Sequence, residues 1–363
     1  MRVLIAAGGT GGHIYPGIAV AKEIMRRDPN SVVRFVGTAR GLETRVVPNA
    51  GFELSLIEST GLKNVGLAAR LRGIVLLPKS FLAARKVIRE FRPDIVVGAG
   101  GYVSGPVLLT AAFMKRPTLV MDSNALPGFT NRRLARFVDK AAVSFAEAMS
   151  FFPGKAVLTG NPVRSEFFEV PAKTGDPQHV SLLVFGGSQG ARAINEAMIA
   201  ALAHLVSEKD RLRVTHQTGT GDVERVQRGY AEAGWSGKAE VKAYIDNMVA
   251  EFAKADLIVS RAGATTTAEL LAAGKVAIMI PFPLAADDHQ RKNAEALQAA
   301  GAARMILQKD LSGETLATEI RSLLSTPEKL NEMENAARKL ARRDAAEKTV
   351  DLMEDLVRAR RKN

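Results

Sequence analysis

The sequence, 363 residues long, contains no cysteine. Disulfides, thiolate metal sites and cysteine nucleophiles are therefore excluded, and the chain suits a reducing compartment. It also lacks a long apolar run. Its longest apolar stretches fall well short of the roughly 20 residues that a membrane-spanning helix needs. The opening Met1-Arg2-Val3-Leu4-Ile5-Ala6-Ala7 meets glycine at once and reads as a buried strand, not a signal peptide. No Gly-Lys-Ser/Thr follows either of two glycine loops, which excludes a Walker loop. The dinucleotide pattern Gly-x-Gly-x-x-Gly is poorly matched and no acidic residue clearly ends the second strand, so a dehydrogenase is disfavoured. There is no Asp-x-Asp pair. The adjacent Asp287-Asp288 reads as loop surface, and neither a metal nor another cofactor is expected. Acidic residues are scarce beside basic ones, 38 Asp and Glu against 50 Lys and Arg, for a net charge of +12. That surplus suits nucleic acid, anionic lipid or anionic substrates, and composition alone does not choose between them.

What is present is a repeated α/β pattern. The length favours two domains. Arg2–Ala7, Val32–Gly37, Asp94–Gly98 and Thr118–Met121 read as strands with helical stretches between them. The pattern restarts with Val180–Phe185, Leu212–His216, Leu257–Ser260 and Val276–Pro281. Near-continuous apolar strands alternating with helices indicate parallel sheets covered on both faces. Both halves begin alike. A strand runs into Gly8-Gly9-Thr10-Gly11-Gly12-His13 and a helix from about Pro16. Another runs into Gly186-Gly187-Ser188-Gln189-Gly190-Ala191-Arg192 and a helix over Ala193–Leu205. The expected fold is therefore α/β, with two Rossmann-like domains of parallel sheet. The hinge is expected within Thr159–Pro177. Residues 1–160 would form the first domain and 161–340 the second. Residues 341–363 would form a charged C-terminal helix packing back on the first domain, and the basic Arg358–Lys362 reads as a frayed tail.

A glycine loop between strand and helix lets backbone N–H groups and a positive helix end approach a phosphate. One such loop is weak evidence, because tight packing alone can demand glycine. Several more segments narrow the reading: Gly100-Gly101-Tyr102-Val103-Ser104-Gly105-Pro106, Asn124 to Arg132, Gly160-Asn161-Pro162-Val163-Arg164, Ser260 to Glu269, and Asp287 to Asn293. With the two loops, and in this order, they resemble the UDP-N-acetylglucosamine transferase family usually called MurG, which makes lipid II for peptidoglycan and so serves cell shape and division. The resemblance runs from residue 1 to about 310. It implies the two-domain GT-B glycosyltransferase fold with the active site in the interdomain cleft.

The resemblance also implies roles. The second domain would hold UDP-N-acetylglucosamine. Ser188 would meet the pyrophosphate, and backbone groups of Ala264, Thr265, Thr266, Thr267 and Ala268 would line diphosphate and ribose. Glu269 would take the ribose hydroxyls, since a carboxylate can accept two hydrogen bonds from a diol. Thr266-x-x-Glu269 also has the spacing of a capping box, in which the acid merely satisfies a helix start. Ile245 would offer its backbone to uracil, Arg164 would contact the nucleotide, and Gln290 would read sugar hydroxyls. Thr10, Gly11 and Gly12 would cradle the acceptor's lipid diphosphate or sit over the sugar. Gly101, Tyr102 and Ser104 would face the acceptor, and Asn124 the transferred sugar. The family's His-Glu-Gln before this asparagine is replaced here by Met121-Asp122-Ser123. His13 is the candidate base, with Asp122 as the alternative.

The expected reaction is an inverting transfer of N-acetylglucosamine from UDP to the C4 hydroxyl of the muramyl sugar in undecaprenyl-linked lipid I. Residues 61–92 carry eight Lys and Arg with one acid, interleaved with Ile74-Val75-Leu76-Leu77 and Phe81-Leu82. Basic heads around an apolar stripe suit an anionic membrane surface, although an ordinary amphipathic helix would look the same. The expected location is peripheral, on the cytoplasmic face of the cell membrane, in reach of other cell-wall synthesis proteins. Two rivals share the fold: a transferase that builds diacylglycerol glycolipids, and a UDP-N-acetylglucosamine epimerase. A basic nucleic-acid-binding protein is the rival from another class. No nucleic-acid motif appears, so none is expected as a partner.

Overall fold

A computed structural model describes residues 1–39, 41–59, 67–124, 126–172, 179–187, 189–285 and 288–362, with backbone only for 67–77 and 362. Ser188, Asp287, Ala125 and residues 61–66 thus lie outside the described residues, as do the side chains of Arg70 and Arg72. The chain divides into two compact units, Met1–Arg164 with Arg342–Asn363, and Ser165–Ala341.

In the first unit the order is β1 (Arg2–Ala7), α1 (Gly11–Arg27), β2 (Val32–Gly37), α2 (Glu43–Asn49), β3 (Glu53–Leu56), α3 (Leu67–Phe91), β4 (Ile95–Gly100), α4 (Ser104–Phe113), β5 (Thr118–Asp122), α5 (Phe129–Leu134), β6 (Lys140–Val143) and β7 (Ala156–Leu158). The second unit runs β8 (Val180–Phe185), α6 (Arg192–Ala201), β9 (Leu212–Gln217), α7 (Val223–Glu232), β10 (Ala239–Lys242), α8 (Met248–Lys254), β11 (Leu257–Ser260), α9 (Ala264–Ala273), β12 (Ala277–Met279), α10 (His289–Ala299), β13 (Ala303–Met305), α11 (Gly313–Leu324) and α12 (Pro327–Leu340). The last helix, α13 (Ala345–Lys362), returns to the first unit.

All recorded strand pairs are parallel. The sheets are ordered β3-β2-β1-β4-β5-β6-β7 and β10-β9-β8-β11-β12-β13. Each unit starts in mid-sheet, builds outward on one side, then crosses to build the other. The strand order therefore reverses between β1 and β4, and again between β8 and β11. Ligands of such sheets bind beyond the carboxyl ends of the strands at that reversal.

Alternation decides which residues cover each sheet face. Val3, Ile5 and Ala7 of β1 pack with Ile14 and Ile18 of α1 and with Val350, Met353 and Val357 of α13. Leu4 and Ala6 face the other way, into Ala84, Ile88 and Phe91 of α3 and Val107 of α4. The charged helix α13 is thus also a covering layer. Arg27 ties it to α1 through Asp351 (2.6 Å) and Glu354 (3.4 Å). The helix runs through Arg358–Lys362, and Arg360 donates to the Lys115 carbonyl at 3.1 Å, so these residues do not form a frayed tail. In the second unit Leu182 and Val184 of β8 pack against Ile194 and Met198 of α6 and Leu316 and Ile320 of α11.

Two expected helices have other bounds. α1 begins at Gly11, five residues before Pro16, so Gly11, Gly12 and His13 are already helical. α6 is shorter than Ala193–Leu205, ending at Ala201 before a 3-10 turn over Leu202–His204.

Candidate functional site

At the first reversal the loops after β1 and β4 interlock. Gly101 has φ +82° and its Cα lies so close to Gly8 that a Cβ would stand 2.1 Å from the Gly8 carbonyl oxygen. A Cβ on Gly100, at φ +119°, would stand 2.3 Å from Cδ2 of His13. Only glycine permits this approach. His13 is the third residue of α1, and its Nδ1 lies 3.2 Å from the Gly8 carbonyl. A carbonyl only accepts, so Nδ1 carries the proton and Nε2 the lone pair. Burial lowers the His13 pKa, opposed by that hydrogen bond and by the charges of Asp122 and Glu43. The ring is therefore neutral at pH 7, and the two acids favour the imidazolium that would follow proton uptake.

Glu43, which local sequence patterns do not single out, lies beneath the first loop. It is fully buried at the start of α2. Its Oε2 accepts the Gly9 N–H (2.9 Å), and its Oε1 accepts both the N–H and hydroxyl of Thr38 (2.8 Å each). It thereby pins the loop to the end of β2. The only local hint is an acid set among Gly37, Gly41 and a short helix.

Asp122 ends β5 and is also buried. Its Oδ1 accepts the Asn124 N–H (2.9 Å), and its Oδ2 accepts the Gly128 N–H (3.0 Å) and Asn131 Nδ2–H (2.8 Å). Burial raises its pKa against the pull of these donors. Three of its roughly four acceptor sites are used to fold the segment that carries Asn124. Ser123, where the resembled family has an amide, donates to Oδ1 of Asn161 at 2.8 Å. Asn124 is half-buried beside these groups. Arg164 stacks on Tyr15 of α1, its guanidinium carbon 4.3 Å from the ring centre. Thr10, at the N-cap of α1, is exposed; Gly11 and Gly12 are half-buried. Tyr102 is exposed and Gly101 half-buried. Ser104 differs from its expected role. It is fully buried, accepts the Gly100 N–H (3.0 Å), and points its hydroxyl at the carbonyls of Ala6 (2.9 Å) and Gly100 (2.8 Å). Its position makes it a brace for the loop.

At the second reversal the loop after β8 meets the end of β9. A Cβ on Gly190 would stand 1.8 Å from the Thr218 carbonyl oxygen, and one on Gly219 would stand 2.2 Å from that of Gln189. Beneath them, buried His216 lies between Tyr230 Oη and Asn195 Oδ1, 3.1 Å from each. Burial pulls its pKa down to about 3. Asn195 in turn donates to the Thr218 carbonyl (3.0 Å) and to Asp222 (2.8 Å).

Across the sheet, α9 opens with Gly263 at its N-cap and no side-chain cap. Thr266 is its third residue, so Thr266-x-x-Glu269 is not a capping box here. Ala264, Thr265, Thr266 and Ala268 are half-buried at this helix start. Thr267 is buried, with its hydroxyl returned to the carbonyls of Gly263 (3.1 Å) and Ala264 (2.8 Å). Glu269 is buried one turn along, on the same helix face as Thr265 and Thr266. Ile245 has a buried side chain, and its N–H is accepted by Gln217 at 2.8 Å, leaving the carbonyl as the group it can offer. Gln290, in the first turn of α10, accepts the Phe282 N–H at 3.0 Å.

The described part of α3 exposes Leu82 beside exposed Lys79, Arg85 and Lys86. Among the described residues no helix is long and apolar enough to cross a membrane, and no three His, Asp or Glu are grouped to hold a metal ion.

Residues 3–143 match the glycosyltransferase family 28 N-terminal domain, and residues 181–349 its C-terminal domain. A UDP-N-acetylglucosamine–N-acetylmuramyl-(pentapeptide) pyrophosphoryl-undecaprenol N-acetylglucosamine transferase from Anaeromyxobacter dehalogenans is 49% identical over 365 residues, covering 99% of this chain and 94% of its own. The crystal structure of MurG from Acinetobacter baumannii is similar at a TM-score of 0.72 and 32% identity, covering 98% and 99% of the two chains. A UDP-GlcNAc 2-epimerase from Neisseria meningitidis, bound to UDP-GlcNAc, has a TM-score of 0.69 at 14% identity, covering 98% and 100%. That last likeness is one of fold alone.

Proposed function

We propose a function from one premise: the chain belongs to glycosyltransferase family 28, within the N-acetylmuramyl-(pentapeptide) pyrophosphoryl-undecaprenol N-acetylglucosamine transferases. Its fold is of the GT-B type. It moves N-acetylglucosamine from UDP-N-acetylglucosamine to lipid I, forming lipid II for peptidoglycan. The observation that carries this reading is near-half identity to such a transferase over 99% of the chain.

The two reversals divide the work. In the second unit the donor's diphosphate would meet the Gly186–Gly190 loop, with Ser188 in it, and the uncapped start of α9. Both are positive ends of helices. Glu269 lies one turn below that start, where a ribose diol could reach it. Ile245, Gln290 and Arg164 would complete the donor contacts. The first loop has a different character. Glu43 already occupies the Gly9 amide, and Asp122 is close enough to act on His13. Buried acids disfavour a diphosphate there. Of the two roles open to Thr10, Gly11 and Gly12, this favours a place over the sugars.

His13 is the proposed base. The acceptor's C4 oxygen forms a bond to C1 of N-acetylglucosamine while the bond from C1 to the UDP phosphate oxygen breaks. The hydroxyl proton passes to Nε2 of His13, and the leaving diphosphate keeps the electron pair. Asp122 is less suited, because three donors already hold its oxygens. Gly101 and Tyr102 remain proposed acceptor contacts, and Asn124 a contact to the transferred sugar. Leu82 with Lys79, Arg85 and Lys86 would belong to a surface resting peripherally on the anionic cytoplasmic face of the cell membrane, where lipid I is presented.

Acceptor dependence tests this reading. UDP release from UDP-N-acetylglucosamine should require lipid I. Release with diacylglycerol in its place, or consumption of the donor with no acceptor, would favour the glycolipid transferase or the epimerase.

A further inference from the structure

We infer that Gln217 is a positioning residue that sets the spacing between the phosphate-binding loop and the base-reading segment of the second unit. This rests on the reading that the second unit holds UDP. Gln217 ends β9, which lies between β8 and β10 in the sheet. The loop leaving β8 and the segment leaving β10 therefore emerge on either side of it. Its side chain is 2% exposed. Nε2–H donates to the Gly187 carbonyl at 2.9 Å, and Oε1 accepts the Ile245 N–H at 2.8 Å. The amide can be oriented only one way, since the carbonyl partner only accepts and the N–H partner only donates. One carboxamide thus joins two segments about 30 residues away on either side of it in the chain.

The backbone around it holds each segment to β9 rather than to the other. Gly190 and Gly219 bring the β8 loop and the β9 end into backbone contact. The segment after β10 is hung from the same end, with Thr218 N–H to the Lys242 carbonyl (3.0 Å) and Gly219 N–H to the Ala243 carbonyl (3.1 Å). These bonds fix each segment to β9. Among the described residues, only Gln217 fixes the loop residue Gly187 and Ile245 to each other through one rigid group. A nucleoside diphosphate must span both segments. Its affinity then depends on their spacing being set before it binds. A ligand that uses only one segment gains nothing from the spacing.

That asymmetry gives the test. Gln217→Met keeps the volume and removes both hydrogen bonds. Inhibition constants are measured for UDP, uridine and pyrophosphate against UDP-N-acetylglucosamine, with melting temperature alongside. For Gln217→Met the UDP constant should rise about tenfold or more, because the ordering of the two segments must then be met on binding. Uridine and pyrophosphate should change less than about twofold. KM for the lipid acceptor, and kcat at saturating donor, should hold within about threefold. Gln217→Glu supplies a second readout. The ionised acid sets oxygen against the Gly187 carbonyl, whereas the protonated acid can restore both bonds. Its UDP affinity relative to the unsubstituted protein should improve as pH falls from 8 to 5. An unchanged UDP constant in Gln217→Met overturns the inference. So does parallel weakening of all three ligands, which marks general disruption. Failure of the unsubstituted protein to bind UDP would instead refute the underlying assignment of the second unit.

Discussion

Replacing Glu43 by glutamine tests how the first glycine loop is held. Two carboxylate oxygens accept three donors there, from Gly9 and Thr38, with full burial. The amide keeps one oxygen. If that oxygen stays with Thr38, the NH2 group faces the Gly9 N–H, donor against donor. Losing one bond to a charged acceptor and stranding a buried donor costs about 2–4 kcal/mol. For a unit of this size that corresponds to a fall in Tm of roughly 5–15 °C. A second effect reaches His13. The Glu43 charge raises the His13 pKa, so its removal lowers that pKa further below the ordinary value. The acid limb of kcat should then move to lower pH, because His13 must be neutral to accept a proton. Differential scanning calorimetry and a kcat profile from pH 5 to 8 read both effects. A Tm within about 1 °C of the unsubstituted protein, with superposed pH profiles, would refute the reasoning.

His13→Ala should lower kcat about a hundredfold or more with little change in donor KM, whereas Asp122→Asn should retain turnover and shift the acid limb to lower pH; the opposite pattern in steady-state kinetics transfers the base role to Asp122. Glu269→Ala should raise the KM for UDP-N-acetylglucosamine by about ten- to a hundredfold, since a hydrogen bond to an ionised group contributes roughly 1.5–3 kcal/mol. An unchanged KM with a lower Tm would make Glu269 a structural residue only. Reversing Arg70, Arg72, Lys79 and Arg85 to Glu should abolish cosedimentation with anionic vesicles and spare turnover of a short-chain soluble acceptor. Equal vesicle binding contradicts the proposed surface.

The central strands were legible because burial on both faces leaves near-continuous apolar runs. β1, β2, β8 and β11 carry the bounds read from such runs. Edge strands lack that signature. β3 is Glu53-Leu54-Ser55-Leu56 and β10 is Ala239-Glu240-Val241-Lys242, both only partly buried and too polar to stand out. The glycine loops were legible as loops, but local spacing misjudged their edges. Nothing local marks α1 as starting before Pro16. The spacing Thr266-x-x-Glu269 suggests a capping box although Gly263 is the N-cap. The braces were the least visible. Glu43 reaches Gly9 across 34 positions, Ser123 reaches Asn161 across 38, and Gln217 reaches Gly187 across 30. Such contacts exist only once the parallel sheet has brought distant strand ends side by side. Hydrophobic periodicity reports which face a residue turns to, not which distant partner awaits it.

The most direct measurement is of the transfer itself. The protein is incubated with UDP-N-acetylglucosamine and lipid I, and the lipid product is weighed by mass spectrometry. The expected result is a product heavier than lipid I by one N-acetylglucosamine residue, formed in step with UDP and absent when either substrate is withheld. Lipid I recovered unchanged while the donor is consumed would contradict the proposed function.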